Sequence, residues 1–103
     1  MKLRRQAWLY IMANRPNGTI YVGIYVGITT DLIQRVWQHR TGAIPGFTKR
    51  YGLKRLVYVE PHESISYAIT REKNVKSWPR AWRVRLITST NPSWNDLYET
   101  VLL

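Results

Sequence analysis

Residues 7–13, Ala-Trp-Leu-Tyr-Ile-Met-Ala, form an unbroken apolar and aromatic run. Its length suits a buried strand and is too short for a helix. Asn14-Arg15-Pro16-Asn17-Gly18 follows, with turn chemistry in which Pro fixes φ and Asn-Gly supplies positive φ. Residues 19–28 return to β-branched residues and tyrosine, so the first third of the chain predicts a β-hairpin. From Asp31 the period changes. Leu32, Ile33, Val36 and Trp37 form a helical stripe, with Thr29 or Thr30 as the cap and Gly42 as the end. Residues 42–52 carry Pro45 and three glycines and read as a loop. A third strand is expected over 54–60, stopped by Pro61. Ser64 caps a second helix reaching about Ser77, and Pro79 suits the first position of a third, in which Trp78, Trp82 and Leu86 share one side. Asn91-Pro92 breaks the chain before a short closing turn or helix. The order is β-β-α-β-α-α. It predicts one α/β (α+β) domain over 1–103, with a small three-stranded antiparallel sheet flanked by helices.

The second strand contains Ile-Tyr-Val-Gly twice in succession, at 20–23 and 24–27. A four-residue step preserves strand parity, so Tyr21 and Tyr25 face the same side of the sheet. The extra copy is expected either to widen the turn or to protrude and offer an edge to another chain.

Charge narrows the partners. Lys and Arg total 16 against 6 Asp and Glu, a formal charge of +10, which calls for a polyanion. Nucleic acid answers that need best, because neutralised phosphates release counterions. The chain has no cysteine, which excludes disulfides and thiolate metal sites. No run has signal-peptide or membrane-spanning length, so a cytoplasmic protein without a membrane partner is expected.

Glu72 stands out because it falls within the apolar stripe of its helix, Ile65, Ala68, Ile69 and Val75. A carboxylate there is costly unless it is paired with a cation or holds a metal. Arg35 and His39 lie four apart and share one helix face. Arg suits a phosphate fork, and His suits proton movement near neutrality. Thr48, Lys49, Arg50 and Tyr51, with Phe47 before them and Lys54 after, mix cations and rings on a glycine-flanked loop, as phosphate and base contacts require. Arg80, Arg83 and Arg85 are a weaker cue and read as solvating the third helix. His39 and His62 lack zinc-ligand neighbours, and no phosphate-loop or dinucleotide fingerprint is present.

In order and spacing, these residues resemble the GIY-YIG nuclease family, most of all its small single-domain bacterial members of the URI type. Trp8-Leu9-Tyr10 stands where that family has GIY, keeping the tyrosine, and Tyr-Val-Gly stands for YIG. Arg35 lies ten residues after Tyr25 and His39 four further on, at the family's spacing. Glu72 matches its metal-binding glutamate, Asn91 its late asparagine, and 46–52 a loop of the small members. The spacing from Tyr10 fits Tyr21, whereas the spacing to Arg35 fits Tyr25, so one copy of the repeat reads as an insertion. Tyr25 is taken as the site tyrosine because a short strand-to-helix junction holds it against Arg35. Tyr21 is the alternative, expected in a widened hairpin or its extension.

The resemblance implies a divalent-metal-dependent endonuclease acting on branched, nicked or duplex DNA, in repair or recombination. Glu72 would hold Mg²⁺ or Mn²⁺, and Tyr10 or Tyr25 would activate or orient water. An ordinary phenol pKa near ~10 is too high for that, so the metal and cations would have to lower it. Arg35 would stabilise the transition state, and His39 would assist proton transfer or hold the phosphate. Asn91 would orient a site group or the backbone. Two rivals remain at this level: a non-catalytic nucleic-acid-binding module on the same scaffold, and an assembly protein in which the repeated strand joins a homodimer in place of a monomer.

Overall fold

A computed structural model describes the backbone of residues 7–26 and 29–102 and the side chains of 7–26 and 32–100. The side chains of Thr29 and Thr30, the expected caps, and the Gly27 end of the repeat fall outside what is described. Three strands, β1 (Ala7–Ala13), β2 (Ile20–Val26) and β3 (Arg55–His62), form an antiparallel sheet of order β2-β1-β3. Among the described residues, five helices accompany it: α1 (Thr29–Thr41), α2 (Phe47–Arg50), α3 (Ile65–Ser77), α4 (Arg80–Thr90) and α5 (Tyr98–Leu102). The α/β architecture is the expected one, with α5 as the short closing element and one short helix added. This helix, α2, lies in the stretch expected to be loop.

β1 is the central strand, which explains its uninterrupted apolar sequence: both of its faces are covered. Leu9, Ile11 and Ala13 join Val22, Val57, Val75 and Ile87 on one face, under α3 and α4. Tyr10 and Met12 join Leu32, Val36, Leu53 and Leu56 on the other, under α1. β3 runs through Pro61, contrary to the expected stop. Pro61 pairs opposite Trp8 and is exposed, and β3 is an edge strand, where a missing N–H is tolerated.

The hairpin also differs from expectation. β2 pairs with β1 from Ala13↔Ile20 to Ala7↔Val26, so the first copy of the repeat and three residues of the second lie within one regular strand. Tyr21 sits opposite Met12 and not in a widened turn or an extension. The described part of the repeat pairs along one side with β1, and β2 is an edge strand of the sheet. The turn is tight at Asn17, whose φ is 57°, and at Gly18, where a Cβ would lie 2.0 Å from Asn14 Oδ1. Arg80 reaches across from α4 and donates to the carbonyls of Asn17 (2.9 Å) and Gly18 (2.6 Å).

α3 begins where the sequence places it. Ser64 accepts from the Tyr67 N–H at 3.2 Å, and the helix ends at Ser77. Its buried residues are Ala68 and Val75, while Ile65 and Ile69 are exposed, so the stripe is narrower than its apolar letters suggest. On α1, Leu32 and Val36 are buried and Trp37 faces outward. Among the described residues, no helix is long and apolar enough to cross a membrane.

Candidate active site

The face of the sheet under α1 carries three tyrosines. Tyr10 lies opposite Gly23, and Tyr21 is its diagonal neighbour on β2. Their ring centroids are 6.3 Å apart. That approach requires glycine between them. A Cβ on Gly23 would meet Tyr21 Cε2 at 2.8 Å and both Cζ and the hydroxyl oxygen of Tyr10 at 3.1 Å.

α1 brings His39 onto this pair. The imidazole is 5% exposed and its centroid is 5.7 Å from each of the two phenol rings. Nε2 lies 3.0 Å from the Tyr10 hydroxyl, and Nδ1 lies 2.8 Å from Oγ1 of Thr48. Burial, and then the nearby Arg35 charge, hold the His39 pKa below its ordinary 6.5. The phenol of Tyr10 is pushed well above its ordinary range, first by burial, then by Tyr21, with Arg35 opposing and Glu72 adding to the rise. The phenol therefore keeps its proton and the imidazole stays neutral. Arg35 acts in the expected lowering direction on Tyr10, but desolvation outweighs it.

One turn back from His39, Arg35 places its guanidinium carbon 5.5 Å from the centroid of Tyr25, which pairs opposite Trp8. The Arg35 Nε is buried without a hydrogen-bond partner, and the residue lines a polar recess with Tyr25, Gln34 and Gln38. The structure thus divides the repeated tyrosine between two settings. Tyr21 packs with Tyr10 and His39, and Tyr25 packs with Arg35.

Glu72 is half-buried, its side chain 19% exposed, and pairs with Lys76 one turn on at 3.2 Å. The ammonium of Lys76 also lies 6.0 Å from the Tyr21 ring centroid. Glu72 acts on Tyr10 electrostatically, as Arg35 does, so acid and guanidinium bracket the same phenol. Among the described residues, no three His, Cys, Asp or Glu side chains gather to enclose a metal. A lone, half-buried carboxylate still fits Mg²⁺, which keeps several waters and completes its shell with substrate phosphate. Glu72 is the residue that would hold it.

One expected assignment is corrected. Thr48 was expected to touch nucleic acid, but it is 4% exposed and bonded to His39. It positions the imidazole. Asn91 is 4% exposed, and its amide donates to the carbonyls of Val57 (3.1 Å) and Asn95 (2.9 Å) and accepts from the Asn95 N–H (3.0 Å). It orients the backbone after α4 and makes none of these bonds to a site group. Lys49, Arg50, Tyr51 and Lys54 are exposed, as a contact surface requires. Sequence reasoning missed Lys76 and Gly23. The i,i+4 spacing from Glu72 signals the first. The second shows only once the register places Gly23 opposite Tyr10.

A second acid, Glu60, lies apart on β3 and is saturated. It accepts from Tyr58 (2.6 Å) and from Arg71 at both oxygens (3.0 and 3.1 Å), and it pairs with His62 (2.6 Å). Burial raises its pKa, but the bonds from Arg71, Tyr58 and His62 together prevail and hold it low. With all its lone pairs directed at protein, Glu60 reads as structural.

A family model described as the GIY-YIG catalytic domain matches residues 6–85. UPF0213 proteins of Staphylococcus aureus strains Mu3, Mu50 and USA300 are each 36% identical to the chain over 64 residues, covering 62% of this chain and 78% of the relative. No solved structure matches significantly. The matched span runs from β1 through most of α4 and contains the hairpin tyrosines, Arg35, His39 and Glu72, and on that match the chain belongs to the GIY-YIG family of nucleases.

Proposed function

We propose that this chain is an endonuclease that hydrolyses DNA phosphodiesters with one divalent cation, Mg²⁺ or Mn²⁺, held by Glu72. The observation that carries this reading is the buried chain Tyr10–His39–Thr48, in which a neutral phenol faces a neutral imidazole. With Nδ1–H donating to Thr48, Nε2 is free to accept the proton of Tyr10. An attacking water then gives its proton to the Tyr10 oxygen while Tyr10 gives its own to His39. The phenol need never exist as a free phenolate, which its buried setting disfavours. Water oxygen forms the new bond to phosphorus as the leaving sugar oxygen departs.

Arg35, whose Nε has no protein acceptor, is placed to take a phosphate oxygen and to stabilise the charge that grows there. Tyr21 offers a second hydroxyl on the same face. A cation at Glu72 supplies Lewis-acid polarisation of the phosphate and support for the leaving oxygen.

The test is a nuclease assay on branched, nicked and duplex DNA in Mg²⁺ and in Mn²⁺. Tyr10→Phe, His39→Ala, Arg35→Ala and Glu72→Gln should each lower the cleavage rate by about 10²-fold or more with the fold retained. Wild-type rates in Tyr10→Phe would remove the relay.

One observation favours a second reading, a module that binds nucleic acid without cutting it: the carboxylate of Glu72 is already engaged by Lys76. That reading predicts salt-sensitive DNA binding with no cleavage in either metal.

A further inference from the structure

α2 is a four-residue helix anchored inward by Thr48, whose hydroxyl meets His39. That anchor turns its other residues outward. Phe47 and Tyr51, one turn apart, are each 46% exposed, and their ring centroids are 4.7 Å apart. The Arg50 guanidinium lies 5.6 Å from the Tyr51 ring. These groups line an open hollow of about 650 Å³. Phe47 also lines a second groove with Tyr21, Lys76 and Arg83, and its ring is 6.3 Å from that of Tyr21. The buried Nε of Arg83 has no acceptor. One track therefore leads from the Tyr10–His39–Tyr21 face past Lys76 and Arg83 onto two half-exposed rings.

We propose that Phe47 and Tyr51 form a stacking platform for an unpaired base of a DNA strand, with Arg83 and Lys76 holding the phosphate between that base and the candidate active site. The proposal rests on the nuclease reading and specifies its substrate: DNA that is single-stranded beside the scissile phosphate. Exposed rings flanked by cations suit a strand whose bases are free, because stacking needs an open base face and the cations need the backbone. An intact duplex offers phosphates to Arg83 and Lys76 but no base face to Phe47 or Tyr51. The formal charge of +10 provides long-range attraction to either form, so charge alone does not select between them.

The experiment uses the full chain with a chelator present, so that cleavage does not intervene. It measures anisotropy and 2-aminopurine fluorescence on a short DNA single strand, on the blunt duplex of the same sequence and on the equivalent RNA strand. The DNA single strand should bind about tenfold or more tighter than the duplex, with quenching of the 2-aminopurine. Phe47→Ala and Tyr51→Ala should each weaken single-strand binding on the order of tenfold and remove the quench, leaving duplex affinity unchanged. Phe47→Leu keeps apolar contact with Tyr21 and should lose the quench as well, which separates stacking from folding. Arg83→Gln should keep the quench and reduce the salt slope by about 0.7. Equal affinity for strand and duplex, a quench that survives Phe47→Leu, or preference for RNA would each overturn the proposal. Arg35→Ala separates it from the nuclease reading, because it should abolish cleavage in metal while keeping the quench. Metal-dependent cleavage of duplex without any quench removes the platform and leaves the nuclease. A quench without cleavage of any DNA does the reverse.

Discussion

A single methyl group at position 23 would press on two phenol rings at once. Gly23→Ala puts a Cβ at 2.8 Å from Tyr21 and 3.1 Å from Tyr10, where His39 packs against both rings and Tyr10 is buried. Overpacking of this kind costs about 1–3 kcal/mol. Gly23→Ala should lower the midpoint of urea unfolding accordingly and slow cleavage beyond that, since the Tyr10–His39 bond must give way. Thr48→Val tests the other end of the same chain. It is close to isosteric and removes the hydroxyl that partners Nδ1 of His39. A buried ring nitrogen left unpaired costs about 1–3 kcal/mol. The variant should be less stable by that amount, and Thr48→Ser, which keeps the hydroxyl, should recover most of it. If Thr48→Val behaved as wild type in both denaturation and cleavage, the positioning role would fall.

The elements were readable where local chemistry sufficed, and less so where a residue's meaning depends on a distant one. The strand at Ala7–Ala13 and the Ser64-capped helix match their sequence signals because apolar continuity and a capping hydroxyl are local properties. Pro61 misleads because its effect depends on whether β3 is an edge, which the sequence around it does not say. α2 escapes notice because it is four residues long and anchored by a histidine nine positions earlier. The same limit applies to the site. Arg35, His39 and Glu72 follow from spacing and patterning, whereas the inward turn of Thr48 and the backbone role of Asn91 depend on partners contributed by other elements. Arg80 is the clearest case. As part of an arginine run it looks like solvation, yet it ties α4 to the β1–β2 turn through two carbonyls. Arg80→Ala should cost about 1 kcal/mol. It should also speed amide exchange locally at the turn, at Gly18 and Thr19, while exchange in α3 stays as it was.

At the scale of the molecule, acid should unmake the fold in two stages, because two buried groups hold depressed pKa values on opposite faces of the sheet. His39 titrates below its ordinary 6.5 in the folded chain, so between the two values the unfolded chain binds the proton and the folded one does not. Its contribution is complete above the ordinary value and is lost as pH falls through the folded one. Glu60, held below its ordinary 4.5, has the same sign and acts in a more acidic window. Denaturation midpoints should therefore decline from mildly acidic pH and fall again under carboxylate-range acidity. Glu60→Gln should remove the second decline and keep the first. Tyr58, pushed up to about 12 by burial and by its bond to Glu60, stays protonated throughout both. Loss of cleavage on acidification should follow the His39 stage, because a protonated imidazole has no lone pair for the Tyr10 proton.

The doubled Ile-Tyr-Val-Gly has a consequence for how the hairpin chooses its alignment. If β2 slid by four positions, Tyr25 would take the seat of Tyr21, Gly27 would face Tyr10, and the letters opposite Ala13 to Leu9 would be unchanged, with threonines replacing Tyr25 and Val26 only opposite Trp8 and Ala7. Lengthening the connection from residues 14–19 to 14–23 costs only about 0.5 kcal/mol in closure entropy. The strand itself is thus a nearly degenerate ruler. The zero mark is set outside it, by Asn14 gripping Thr19 and by Arg80 gripping Asn17 and Gly18.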